Sequence, residues 1–158
     1  MLSYKPADIE ELDELFELMR CETSEYLKDS LWQIGMTESA FQAKFKAVGE
    51  IYLIMVDGRQ AGFYWIEKRD DILHLHGIIL RCDFQGLGYG RQTMELLEYR
   101  HGDGISAIEL GVYRFNHRAR HLYEQMGYKT VSRLDDVQFD IMRKPLVDIL
   151  HPGMNSAE

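Results

Sequence analysis

A mixed α/β (α+β) fold with an antiparallel front half is what this sequence predicts, on three observations. An amphipathic repeat comes first, with Ile9, Leu12, Leu15, Phe16 and Met19 at helical spacing and acids on the other faces. Three β-rich runs follow, joined by turn signals at Asp57-Gly58 and at Lys68-Arg69-Asp70-Asp71, the pattern of a meander. The third run then breaks into Gln85-Gly86-Leu87-Gly88-Tyr89-Gly90, followed by Arg91 to Tyr99 with neither Pro nor Gly. A strand that dissolves into glycines and opens a helix bares main-chain N–H groups at the helix N-terminus, a geometry that suits phosphate.

Residues 1–5 are placed as a possible opening strand. The first helix is expected over Asp8 to Glu25, with Pro6 and Asp8 as initiation signals. Phe41 and Phe45 at i, i+4 indicate one further helix within Tyr26 to Val48. Strands are expected at Ile51–Val56, Ala61–Glu67 and Leu73–Leu80, and a helix from Gly90 to Tyr99 that ends at His101-Gly102-Asp103-Gly104. Then come a strand over Ile105–Val112, a short helix over Arg118–Met126 with Gly127 as its C-cap, and strands over Tyr128–Val131 and Val137–Met142. A single domain over residues 1–145 and a loose tail over 146–158 complete the reading.

Composition narrows the class. The chain has 158 residues, 46% of them hydrophobic and 28% charged, in the range of soluble globular domains. Its formal net charge of -8 argues against nucleic acid as the main partner, because phosphate backbones call for a basic face. No apolar run approaches the ~20 residues that span a bilayer. The N-terminal residues lack a secretory pattern, and Cys21 and Cys82 stand far apart with no metal-like spacing. Free thiols, a cytoplasmic location and no metal are therefore expected.

The glycine run is neither a dinucleotide fingerprint, which needs Gly-x-Gly-x-x-Gly, nor a Walker loop, which needs Gly-Lys-Ser/Thr. Taken alone it could be a plain glycine turn. A second block, Asn116-His117-Arg118-Ala119-Arg120-His121-Leu122-Tyr123-Glu124-Gln125-Met126-Gly127-Tyr128, lies downstream in the chain. With Gln85, Gly88 and Gly90 before it, in this order and spacing, the chain resembles the Gcn5-related N-acetyltransferase (GNAT) family. That resemblance covers most of residues 1–145 and implies an acyl-CoA N-acyltransferase fold, a mixed central sheet with helices on both faces.

The resemblance also implies acetyl-CoA as acyl donor. The amides of Gln85, Gly86, Leu87, Gly88, Tyr89, Gly90 and Arg91 would hold its pyrophosphate, since glycines remove the Cβ that blocks close approach. The backbone of Ile78, Ile79 and Leu80 would meet the pantetheine arm, and Asn116 would reach it too, unless that side chain serves only as a helix cap. Arg118 and Arg120 could meet phosphates or be ordinary surface residues. Tyr123 falls where the family places a tyrosine beside the cofactor sulfur, a candidate general acid for the departing thiolate.

For the base, His74 and His76 share one face of a strand by period-two alternation. Metal binding by the pair finds no third ligand nearby. The stretch from His74 to Gln85 is similar to the matching strand of the serotonin N-acetyltransferases, family members with a paired-histidine proton path. Glu67 and Glu22 are reserve bases. The resemblance implies an acceptor groove lined by Glu22 to Gly35 and Arg133 to Val137, where Tyr26, Leu31 and Trp32 mix with Glu22, Glu25, Asp29, Asp135 and Asp136. That mix suits a primary amine on a small molecule or an exposed peptide. A non-catalytic acyl-CoA sensor and an acetyltransferase of a protein tail or charged tRNA are the alternatives, and a homodimer is open.

Overall fold

The computed structural model describes residues 1–25 and 27–146. Among them are the strands β1 (Leu2–Pro6), β2 (Glu50–Val56), β3 (Arg59–Arg69), β4 (Ile72–Leu80), β5 (Ala107–Tyr113), β6 (Lys129–Leu134) and β7 (Phe139–Pro145). The helices are α1 (Leu12–Glu22), α2 (Leu27–Gln33), α3 (Glu38–Ala47), α4 (Tyr89–His101) and α5 (His117–Gln125). Hydrogen bonding orders the strands β1-β2-β3-β4-β5-β7-β6, a mixed seven-stranded sheet. Two compact units divide the chain: Met1–Glu67 with Gly77–Tyr89, and Lys68–His76 with the chain from Gly90 onward.

In the first unit, β1 runs antiparallel to β2, and β2 antiparallel to β3. The turn between β2 and β3 has Asp57 at φ 51° and Gly58 at φ 79°, left-handed at both positions, which matches the right-handed strand twist. Leu12, Leu15, Phe16 and Met19 of α1 meet Phe45 of α3, Leu53 of β2 and Phe63 and Trp65 of β3 in one core. Phe45 and Trp65 meet edge to face with centroids 5.1 Å apart, and the Trp65 indole donates to the Val48 carbonyl at 2.8 Å.

Two expectations change here. The first helix is shorter than Asp8 to Glu25, with a 3₁₀ turn at Ile9–Glu11 before α1. The Glu11 carboxylate accepts from the Asp8 amide at 2.9 Å and fixes the start, while the buried Thr23 hydroxyl donates to the Met19 carbonyl at 2.6 Å and helps end it. Where one helix is expected around Phe41 and Phe45, two form. Gly35 at φ 72° breaks them apart and Thr37 caps α3 through the Ala40 amide at 3.1 Å. α2 is seven residues long with only Leu27 and Leu31 at i, i+4, a period too short to mark a separate helix.

In the second unit, β4 pairs in parallel with β5 from Ile72↔Ala107 to Leu75↔Leu110. β5 runs antiparallel to β7, and β7 antiparallel to β6. Met94, Leu97, Ile108, Leu110, Tyr128 and Met142 are buried. The turn before β4 is tighter than the charged cluster suggests, since Lys68 and Arg69 stay in β3 and Asp70 takes φ 55°. Pro145 closes β7, and the Leu146 amide donates to the Ser106 carbonyl at 2.8 Å. The rest of the expected tail lies outside the described residues, as does Tyr26.

Candidate active site

The loop after β4 is built by few anchors. Arg81 donates from its main chain to the Ala61 carbonyl at 2.8 Å, and the 3₁₀ turn Cys82–Phe84 buries Phe84. The Arg59 guanidinium stands 5.0 Å from the Phe84 ring centroid. The Gln85 side chain donates from Nε2 to the Leu80 carbonyl at 2.8 Å and to the Glu22 carboxylate at 3.3 Å, tying the loop to the end of β4 and of α1. Beyond it the chain is exposed from Gln85 to Gly88, and Gly86 and Gly88 take φ 73° and 88°. Only glycine adopts such values at little strain, so the residue type follows from the backbone path. α4 opens immediately at Tyr89, and the amides of a first helical turn have no intrahelical acceptor.

Glu22 thus holds Gln85, a structural duty alongside any reserve role. Trp32 is exposed while Leu31 is buried, and Glu22, Glu25 and Asp29 are exposed. Ile78, Ile79 and Leu80 are half-buried at the end of β4 although all are apolar.

In the second unit Gly90 and Arg91 continue α4, and the Arg91 guanidinium donates to the Gln125 side chain at 3.0 Å, joining the start of α4 to the end of α5. Asn116 caps α5, its side chain accepting from the Ala119 amide at 3.2 Å. The cap reading of Asn116 therefore holds. Arg118 is exposed, but Arg120 is not a surface arginine. It donates to the fully buried Asp140 and, at 2.8 Å, to the Thr130 hydroxyl.

The far end of α5 explains the spacing of its motif. The Tyr128 amide donates to the Tyr123 carbonyl at 3.0 Å, and the Gly127 amide to the Glu124 carbonyl at 3.1 Å. With Gly127 at φ 98°, this is a Schellman C-cap, in which the residue after glycine folds back onto the residue five before it. The Tyr123 and Tyr128 ring centroids are accordingly 6.0 Å apart. Glycine at the left-handed position is what that cap favours, and an apolar contact between the residues it joins often accompanies it.

On β4, His74 and His76 alternate with the buried Leu73 and Leu75 and are themselves half-buried. The His74 Nδ1 lies 3.7 Å from the Glu109 carboxylate, and Glu109 accepts from the Arg143 Nη2 at 2.5 Å. These three residues are direct cross-strand partners on β4, β5 and β7. Sequence reasoning missed Glu109, whose only signal is a lone carboxylate in an apolar strand. Among the described residues no three His, Cys, Asp or Glu side chains are grouped to hold a metal. None of the described helices is long and apolar enough to cross a membrane.

The model of the acetyltransferase (GNAT) family matches residues 12–128. An uncharacterized N-acetyltransferase from Lactobacillus delbrueckii subsp. lactis is 31% identical over 111 residues, covering 61% of this chain and 64% of that protein. A mycothiol acetyltransferase from Propionibacterium freudenreichii subsp. shermanii is 33% identical over 81 residues, 48% of this chain and 26% of that protein. The chain thus spans under two thirds of either curated relative. Among solved structures, the PaiA N-acetyltransferase from Thermoplasma acidophilum in complex with coenzyme A superimposes with a TM-score of 0.69 at 16% identity, covering 92% of this chain and 99% of that one.

Proposed function

The chain belongs to the acetyltransferase (GNAT) family, and from that premise we propose that it transfers acetyl directly from acetyl-CoA to a primary amine of a small molecule or an exposed peptide. The observation that carries this reading is the exposed Gln85–Gly88 segment, left-handed at Gly86 and Gly88 and running straight into α4. Main-chain amides from Gln85 to Arg91 offer donors to a diphosphate without a side chain in the way. The coenzyme A in the Thermoplasma neighbour supports the choice of ligand.

Aminolysis of a thioester needs a neutral amine, a donor for the oxyanion and a proton for the thiolate. A free alkylamine has a pKa near ~10.4, so at neutral pH a base must accept its proton. His76 or His74 is assigned that part, with Glu109 and Arg143 fixing the second ring from behind. Glu67, Glu22 or water remain other candidates for it. The Leu80 amide is assigned to the oxyanion. Tyr123 returns a proton to the sulfur, a phenol of pKa ~10 opposite a thiol of ~8.5. Ile78 and Ile79 flank the pantetheine arm through their backbone, and Asn116 serves through the α5 N-terminus it caps.

The deciding measurement is release of free CoA thiol with a panel of amines. Tight acetyl-CoA binding with no turnover above hydrolysis would replace the enzyme with a binding module. Tyr123→Phe is expected to lower kcat by roughly tenfold to a thousandfold with acetyl-CoA affinity unchanged; an unaltered kcat removes the assigned role. Replacing His74 and His76 together by Gln should depress kcat at pH 7 by about tenfold to a hundredfold and leave the rate recovering toward the amine's own pKa. A profile superimposable on the parent's would make both histidines structural.

A further inference from the structure

Tyr128 is buried, at 2% exposure, and its hydroxyl has no hydrogen-bond partner among the described residues. The nearby acid, Glu98, is committed to Lys144 at 2.5 Å. A buried hydroxyl left unbonded is destabilising, and phenylalanine would fill the same volume without that penalty. The Schellman cap joins the main chains of Tyr123 and Tyr128 through a 3.0 Å bond, and their ring centroids lie 6.0 Å apart. Burial holds the Tyr128 phenol well above the ordinary tyrosine range, with Glu98 and Tyr123 adding to the shift, so its O–H stays a donor.

We infer that Tyr128 is a positioning residue for acetyl transfer, its hydroxyl donating to the Tyr123 oxygen while that oxygen is a transient phenolate. This rests on the general-acid role given to Tyr123. When the C–S bond breaks, the electron pair goes to sulfur and the proton moves from the Tyr123 Oη to the thiolate. The Tyr123 oxygen then carries the negative charge until solvent returns a proton. A donor drawn onto the oxygen as negative charge builds there stabilises the transition state without tightening substrate binding, and stands unbonded in the resting fold.

The experiment is a double-mutant cycle with Tyr123→Phe and Tyr128→Phe, read by kcat, KM for acetyl-CoA and thermal unfolding. Tyr128→Phe should raise Tm by about 3 °C, lower kcat by roughly threefold to thirtyfold and leave KM within about twofold. In the Tyr123→Phe background it should raise Tm again but leave kcat unchanged, since no phenolate forms there. A kcat equal to the parent's, or the same fractional loss in both backgrounds, overturns the inference. So does a fall in Tm, which would reveal a bonded hydroxyl. If Tyr123→Phe alone leaves kcat intact, the reading of Tyr123 fails instead, and the inference falls with it.

Discussion

Gly88→Val is expected to weaken acetyl-CoA binding at least about a hundredfold while the protein stays folded. The substitution places a β-branched side chain at φ 88°, a region that L-residues avoid by roughly 1–2 kcal/mol or more. The loop can escape that strain only by moving its amides, and the amides are the proposed ligands of the diphosphate. Either outcome removes the site: a retained path puts methyl groups toward the phosphate, and a relaxed path turns the N–H groups away. Gln85 to Gly88 are exposed, so little core packing depends on them. Isothermal titration with acetyl-CoA, alongside a thermal melt, separates lost binding from lost fold. Normal affinity in a folded variant would remove the phosphate loop from the proposal, and with it the placement of the thioester.

What the sequence made legible is what local chemistry dictates. Alternation put His74 and His76 on one face because Leu73 and Leu75 had to be buried, and β4 obeys it. Gly127 is expected as a C-cap and takes φ 98°, whereas the left-handed path at Gly86 and Gly88 is visible only in the structure. Asn116 before α5 was read both as a cap and as a cofactor contact, and its cap bond is present. What stayed hidden depends on partners distant in sequence. Nothing around Arg120 says that Asp140, twenty residues on, will hold its guanidinium. Nor does an isolated Glu109 declare that parallel pairing will set it beside His74. Helix α2 is hidden for another reason: at seven residues it offers only Leu27 and Leu31 at i, i+4, too short a period to separate it from the helix that follows.

The same distinction sets the second large effect, at Asp140. This carboxylate on β7 is wholly buried; it accepts from Arg114 at 2.9 Å and from Arg120, and Arg133 approaches at 3.6 Å. Burial pushes its carboxyl up, but the hydrogen bonds and charges of Arg114 and Arg120 outweigh that and hold it below the ordinary aspartate value. Arg120 belongs to α5, so the carboxylate fastens the helix that carries Asn116 and Tyr123 to the sheet. Asp140→Ala leaves the arginines facing each other without their shared counter-ion, and a loss of roughly 2–3 kcal/mol is expected, at or just below the usual cost of breaking a buried pair because the arginines are partly solvated. The sign of the pH effect follows from the lowered value. An aspartate that ionises more readily folded than unfolded adds stability above its unfolded pKa of ~3.9, and this is lost as pH falls through the folded value. Urea unfolding from pH 7 down to pH 3 should therefore show the parent losing stability below about pH 4 more steeply than Asp140→Asn. Equal acid limbs, or an Asp140→Ala variant as stable as the parent at pH 7, would mean that α5 is held by its apolar face alone.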